Sequence, residues 1–125
     1  MADAPPKIAI VDDDASVLKA LTRLLRAHTF RTQAYVSARE FLGDLPNGTP
    51  DCLILDLQMP DISGLELFQH LANKGVTIPT IIITAQGDAA IRQRCATMGA
   101  IAFLTKPLQD SVLFAALDKV QLNTR

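Results

Sequence analysis

Five times along this chain a short run of apolar, β-favouring residues gives way to a stretch with apolar residues at helical spacing. That alternation restricts the fold more than any other property of the sequence. Lys7 to Val11 reads as a strand; Asp14 then stands where a helix cap belongs, and Val17, Leu18, Leu21, Leu24 and Leu25 follow along one helix face. Phe30 to Tyr35 alternates weakly as a second strand, and Phe41, Leu42 and Leu45 mark a short helix that Pro46-Asn47-Gly48 stops. Cys52 to Leu55 is continuously apolar, as a strand covered on both faces should be, and it ends at Asp56. Beyond the turn-forming Met59-Pro60-Asp61 and Gly64, residues Leu65, Phe68 and Leu71 give a third helix that closes near Gly75. Ile78 to Ile83 supplies a fourth strand. Asp88 is placed to cap a fourth helix, with Ile91, Cys95 and Met98 on one side and Gly99 past its end. Ile101 to Leu104 is the fifth strand, and Leu113, Ala116, Leu117 and Val120 form the stripe of a last helix.

Strands that alternate with helices need crossover connections, so the expected architecture is α/β, a mostly parallel and right-handed doubly wound sheet. The 125 residues suffice for one such domain, and no internal repeat or linker divides them. Only 5% of residues are aromatic and none is Trp, so the core must be built from Leu, Ile, Val and Ala. Twelve basic residues against thirteen acidic ones leave a formal charge of -1, with no broad cationic field to hold nucleic acid or anionic lipid. Direct nucleic acid binding and membrane association are therefore not expected of this segment. No apolar run approaches the roughly 18 residues of a membrane span, and Met-Ala-Asp-Ala-Pro-Pro does not read as a leader, so a cytoplasmic location is expected. Cys52 and Cys95 lack the close Cys or His neighbours of a metal site and read as reduced core residues.

In doubly wound sheets ligands bind outside the carboxyl ends of the strands. Those ends carry Asp12 and Asp13 after the first strand, Asp56 after the third, Thr84 after the fourth and Lys106-Pro107 after the fifth. Three carboxylates about 5 Å apart would repel by roughly 3 kcal/mol per pair at an effective dielectric of 20, which calls for raised pKa values or a bound cation. An all-oxygen donor set selects a hard ion, and Mg²⁺, held by one or two carboxylates plus water and phosphate oxygens, suits it better than a Ca²⁺ cage. A carboxylate that takes up a phosphoryl group needs the incoming charge neutralised by metal, ammonium and hydroxyl, and Lys106 and Thr84 supply the latter two.

With these residues in place, the chain resembles the response-regulator receiver family, through Ile-Val-Asp12-Asp13-Asp14, Leu-Asp56-Leu-Gln-Met-Pro60, Ile-Thr84-Ala85 and Phe103-Leu-Thr-Lys106-Pro107. The wording from Asp56 to Leu67, and Ile-Pro-Thr-Ile-Ile-Ile-Thr, is most similar to FixJ-type regulators, whose receiver precedes a LuxR-like DNA-binding domain. The resemblance implies a flavodoxin- and CheY-like sheet of order 2-1-3-4-5. It implies Asp56 as phosphoacceptor, Mg²⁺ held by Asp13, Asp56 and the backbone carbonyl of Gln58 with Asp12 acting through water, and Thr84, Ala85 and Lys106 at the phosphoryl group. Thr84 and Phe103 are implied as the switch, and the Lys106-Pro107 bond as cis. The partners implied are a sensor histidine kinase, an output domain, and a second copy paired through helix 4, strand 5 and helix 5 on phosphorylation, with Arg92, Gln93 and Arg94 on or near that face. On this reading residues 1–6 are a flexible tail, 7–122 the receiver, and 123–125 its end or the start of a linker. It would catalyse only its own phosphotransfer and dephosphorylation.

Other readings compete at several positions. Asp14 reads as a helix cap before it reads as a metal ligand, Phe103 taken alone would be core packing, and His28 and His70 read as surface residues. Asp12-Asp13-Asp14 also resembles the D-x-D motif of haloacid-dehalogenase-type phosphatases, with Asp12 as nucleophile, but the further acidic pair of that family is missing, since only Leu108-Gln109-Asp110 follows. A phosphorylation-independent pseudo-receiver that serves as an interaction module is the remaining alternative.

Overall fold

A computed structural model describes residues 5–120. Its elements are β1 (Lys7–Val11), α1 (Ala15–Ala27), β2 (Arg31–Tyr35), α2 (Ala38–Asp44) with a 3₁₀ turn (Leu45–Asn47), β3 (Cys52–Asp56), α3 (Gly64–Asn73), β4 (Thr80–Thr84), α4 (Ala89–Thr97), β5 (Ala102–Thr105) and α5 (Asp110–Lys119). The five strands are all parallel in the order β2-β1-β3-β4-β5. Chain order reverses between β1 and β3, which makes the carboxyl ends of those two strands the switch point of the sheet.

The side-chain period of two sorts the strands into two cores. Ala9, Val11, Leu53, Leu55 and Ile82 face one side, where Phe41 of α2, Leu67 and Leu71 of α3 and Cys95 of α4 cover them. Ile8, Ile10, Ile54, Ile81 and Ile83 face the other, beneath Leu21 and Leu25 of α1 and Leu113 and Leu117 of α5. β3 and β4 are buried along their whole length, as the unbroken apolar run of β3 required, and each Leu or Ile side chain there contributes about 1.5–3 kcal/mol by leaving water. β2, at the edge, buries only Tyr35.

Capping sets the helix starts. Asp14 Oδ1 accepts from the amides of Ser16 and Val17 at 2.9 and 3.4 Å, and Asp88 Oδ1 from those of Ala90 and Ile91 at 2.8 and 3.1 Å, each a cap worth about 1 kcal/mol. Ser63 and Glu66 form a reciprocal capping box at α3, so Gly64 is the first residue of that helix and not part of the turn before it. β4 begins at Thr80 and not at Ile78, because Pro79 has no amide to enter a ladder; Ile78 stays in the core all the same. β2 begins after Phe30, whose amide still donates to Leu25 O at the end of α1, and β5 begins after Ile101. On α4 only Cys95 is fully buried, while Ile91 and Met98 are half-buried at its margin.

Cys52 and Cys95 are both free and buried. Among the described residues no helix is long and apolar enough to cross a membrane. Of the expected tail, residues 1–4 lie outside the described residues, as do 121–125 at the other end. Pro6 is buried, and the carbonyls of Pro5 and Pro6 accept from Arg31 Nε and Arg31 N at 2.7 and 3.0 Å.

Candidate functional site

At the switch point β1 and β3 deliver their acids side by side. Asp12, Asp13 and Asp56 each place a carboxylate oxygen within 4.8 Å of the others. Asp12 and Asp56 are buried, at 0% and 2% exposure, whereas Asp13 is open to solvent. Asp12 Oδ1 accepts from the Asp14 amide at 2.8 Å, while its buried Oδ2 has the Lys106 ammonium, at 2.9 Å, as its one partner among the described residues. The same ammonium lies 3.6 Å from Asp56 Oδ1, which also accepts from the Gln58 amide at 3.3 Å.

These surroundings displace the protons. Burial, and then the charge of Asp12, push the Asp56 carboxyl from its ordinary 3.8 up to about 6 against the opposing pull of the Gln58 amide and Lys106. Burial opposes charge on Lys106, but the hydrogen bond and charge of Asp12, with Asp56 behind them, outweigh it and hold its pKa above the ordinary value.

Two other strand ends complete the rim. The Lys106 amide donates to Thr84 O at 2.8 Å, which sets Lys106 beside β4, and the Lys106-Pro107 peptide is cis. Thr84 is buried; its hydroxyl donates to Gln86 O at 3.1 Å and accepts from the Gln86 amide at 3.2 Å, pinning the start of the β4–α4 loop, where Ala85 is exposed. Phe103 is buried in the α2–α3–α4 core, with the Arg92 guanidinium 4.8 Å from its ring centroid. His28 is exposed and stacks on Phe114 at 4.2 Å, and His70 is exposed on α3.

Two contributors escaped the sequence reading. A Cβ built on Gly64 would stand 2.0 Å from Asp56 O, so only glycine lets the start of α3 close against the strand end that carries Asp56. A glycine in a helical first turn, where almost any other residue favours the helix more, was the available signal. Arg92, read as a surface contact, also covers Phe103; nothing in the sequence pairs those two residues.

A parallel five-stranded sheet with three acids and a lysine at its switch point defines a phosphoryl-handling α/β domain, and comparison with known proteins specifies it. The family model of the response regulator receiver domain matches residues 8–118, and this chain belongs to that family. It is 41% identical over 117 residues to the response regulator protein TmoT of Ectopseudomonas mendocina, a match over 94% of this chain and 53% of that protein. It is 36% identical over 112 residues to the transcriptional regulatory protein FixJ of Rhizobium meliloti (strain 1021), covering 90% of this chain and 55% of that one. The crystal structure of FixJ-N superposes with a TM-score of 0.83 at 35% identity, over 96% of this chain and 94% of that chain. The chain thus spans about half the length of the curated relatives it matches. It is a receiver domain of the two-component type, and neither the phosphatase nor the pseudo-receiver reading is favoured.

Receiver domains as a family hold Mg²⁺ at this acidic pocket, and the residues here fit the ion. The donors are all oxygens within 4.8 Å of one another, and among the described residues the buried Asp12 Oδ2 has no partner besides the Lys106 ammonium.

Proposed function

We propose that this domain accepts a phosphoryl group on Asp56 from a sensor histidine kinase, in a reaction that requires Mg²⁺, and passes the change to an output domain. The observation that carries this reading is the position of Asp56. It ends the central, wholly buried strand, within 4.8 Å of the Asp12 and Asp13 carboxylates and 3.6 Å from the Lys106 ammonium, so a phosphoryl group on it would meet Lys106 and a cation held by the acids. A carboxylate with a pKa of about 6 is ionised at neutral pH yet more basic than a solvated one, which favours attack on phosphorus.

Asp13, Asp56 and the Gln58 carbonyl would hold Mg²⁺, with Asp12 assisting through water, and the ion bound there would neutralise charge at the phosphoryl oxygens. An Asp56 oxygen attacks, the bond from phosphorus to the donor imidazole nitrogen breaks, and Lys106 receives one phosphoryl oxygen. The Thr84 hydroxyl leaves Gln86 for another, with Ala85 beside it. The donor must come within bonding reach of Asp56, so the kinase has to cover the rim of the pocket. An apolar groove of about 790 Å³ between α1 and the β5–α5 connection, lined by Val17, Leu24, Pro107 and Leu108, runs up to Lys106 and offers the area for it.

The output is the α4–β5–α5 face. Thr84 and Phe103 convert the phosphoryl group into a rearrangement there, and a two-fold pairing of this face follows, with Arg92, Gln93 and Arg94 as polar contacts and the exposed Val112 and Ile101 as apolar ones. A cytoplasmic regulator of transcription is the whole protein this implies. The test is mass measurement of the chain after incubation with acetyl phosphate and Mg²⁺. One phosphoryl group mapped to Asp56, absent from Asp56→Asn and retained in Asp12→Asn, is expected. Full labelling of Asp56→Asn would overturn the assignment.

A further inference from the structure

The loop from Leu57 to Ser63 joins the proposed acceptor to α3, and it carries Gln58. It is fastened at both ends: the Leu57 amide donates to Ile83 O at 3.1 Å, the Gly64 amide donates to Leu57 O at 3.0 Å, and Ser63 is locked in its capping box. Leu57 and Met59 are buried, while Gln58, Pro60 and Asp61 are exposed, the last two at the apex. Asp61 has φ +69°, a left-handed conformation that Asp adopts more readily than most residues but that still needs support. The support comes from another element: Arg39, in the first turn of α2, donates from Nε to Asp61 Oδ2 and from Nη2 to Asp61 Oδ1 at 3.3 Å. This two-pronged pairing spans 22 residues of sequence and holds the Asp61 carboxyl below its ordinary pKa range.

We infer that Arg39 is a positioning residue for the metal site: its fork on Asp61 holds the apex of the β3–α3 loop and thereby the backbone carbonyl of Gln58. This rests on the reading of that carbonyl as a Mg²⁺ ligand. Pro60 makes the link stiff, since its fixed φ leaves little freedom between Met59 and Asp61. Both partners are exposed, so the pair adds little to global stability, but an entropy already removed from the loop need not be lost when an ion is bound.

Charge separates this role from a general electrostatic one. Arg39→Gln removes a positive charge, so electrostatics alone would tighten Mg²⁺ binding, whereas loss of the tether weakens it. The measurement is a MgCl₂ titration of the 125-residue protein followed by backbone amide NMR shifts, with ¹⁵N relaxation of Asp61 and Ile62 recorded before metal is added. We expect Arg39→Gln to bind Mg²⁺ about two- to fivefold more weakly than wild type, with Arg39→Lys between them, and to show greater motion at Asp61 without metal. Affinity in Arg39→Gln equal to or tighter than wild type, or unchanged loop relaxation, would overturn the inference while leaving the metal site standing. Absence of Mg²⁺ binding by wild type would overturn the metal reading and this inference with it.

Discussion

The Lys106 ammonium stands closer to Asp12, at 2.9 Å from Oδ2, than to Asp56, at 3.6 Å from Oδ1, so in the resting domain it is shared unevenly between the two buried acids. Asp12 Oδ2 depends on it, having no other partner among the described residues.

Replacing Lys106 with Met would leave two buried carboxylates facing each other with no cation, and breaking a buried pair is more damaging than never having had one. Lys106 is partly exposed, so we expect Lys106→Met to lose about 1–3 kcal/mol in urea unfolding at pH 7 without Mg²⁺, with part of the loss recovered when the ion is added. The raised Lys106 pKa means that its contribution is complete at neutral pH and lost only as pH rises past the ordinary lysine value. An unchanged urea midpoint would show that the ammonium does nothing for the folded state.

Asp56 works against stability. Its folded carboxyl titrates at about 6 instead of 3.8, so the folded state holds this proton more tightly than the unfolded one. The stability linked to that proton is complete below about pH 4 and is lost as pH rises through 6. Each pH unit of displacement corresponds to about 1.4 kcal/mol, and after discounting for solvent in the open pocket the ionised group costs about 1–2 kcal/mol at pH 7. Asp56→Asn should therefore melt higher than wild type at pH 7 in the absence of Mg²⁺, and the gap should close by about pH 4. A gap that is the same at both values would place its origin outside Asp56 ionisation.

The sheet and the acids at its edge were legible because they leave one-dimensional signals. Buried parallel strands must be apolar on both faces, so Cys52 to Leu55 stands out, and whatever polar residue follows such a run stands at the ligand-binding edge. That logic names Asp12, Asp13, Asp56, Thr84 and Lys106 without a structure, and the structure brings Asp12, Asp13, Asp56 and Lys106 into one pocket. Periodicity said less about strand starts: Ile78 is as apolar as the ladder residues that follow it, and only the missing amide of Pro79 moves the boundary to Thr80. The pairings of Arg39 with Asp61 and Arg92 with Phe103 left no trace, because each joins residues whose proximity depends on how helices settle on the sheet. Gly64 lay between these cases. The residue was visible, but its contact with the Asp56 carbonyl exists only once α3 has docked.

Thr84 links the pocket to the surface. The Thr84 hydroxyl is the one side chain of the rim that is both at the proposed phosphoryl position and bonded to the β4–α4 loop, through the carbonyl and amide of Gln86. A phosphoryl oxygen that draws the hydroxyl away must release those bonds, and the loop leads directly into α4. Phe103 is buried under Arg92, and Gly87 runs close beside it: a Cβ built there would lie 3.7 Å from the ring and 3.2 Å from Thr105 Oγ1. A shift of the loop would therefore alter the space beside the Phe103 ring. A few kcal/mol of phosphoryl contact is enough to move such an equilibrium, provided the contact differs between the two states. Thr84→Ala keeps the acceptor and the metal ligands but has no hydroxyl to draw. Sedimentation with acetyl phosphate and Mg²⁺ should show wild type shifting from monomer to dimer. Thr84→Ala, labelled to the same extent by mass, should dimerise at least about tenfold more weakly, the equivalent of about 1.4 kcal/mol. Equal dimerisation of the two labelled proteins would remove Thr84 from the path and leave the β4–α4 loop to be moved by some other contact.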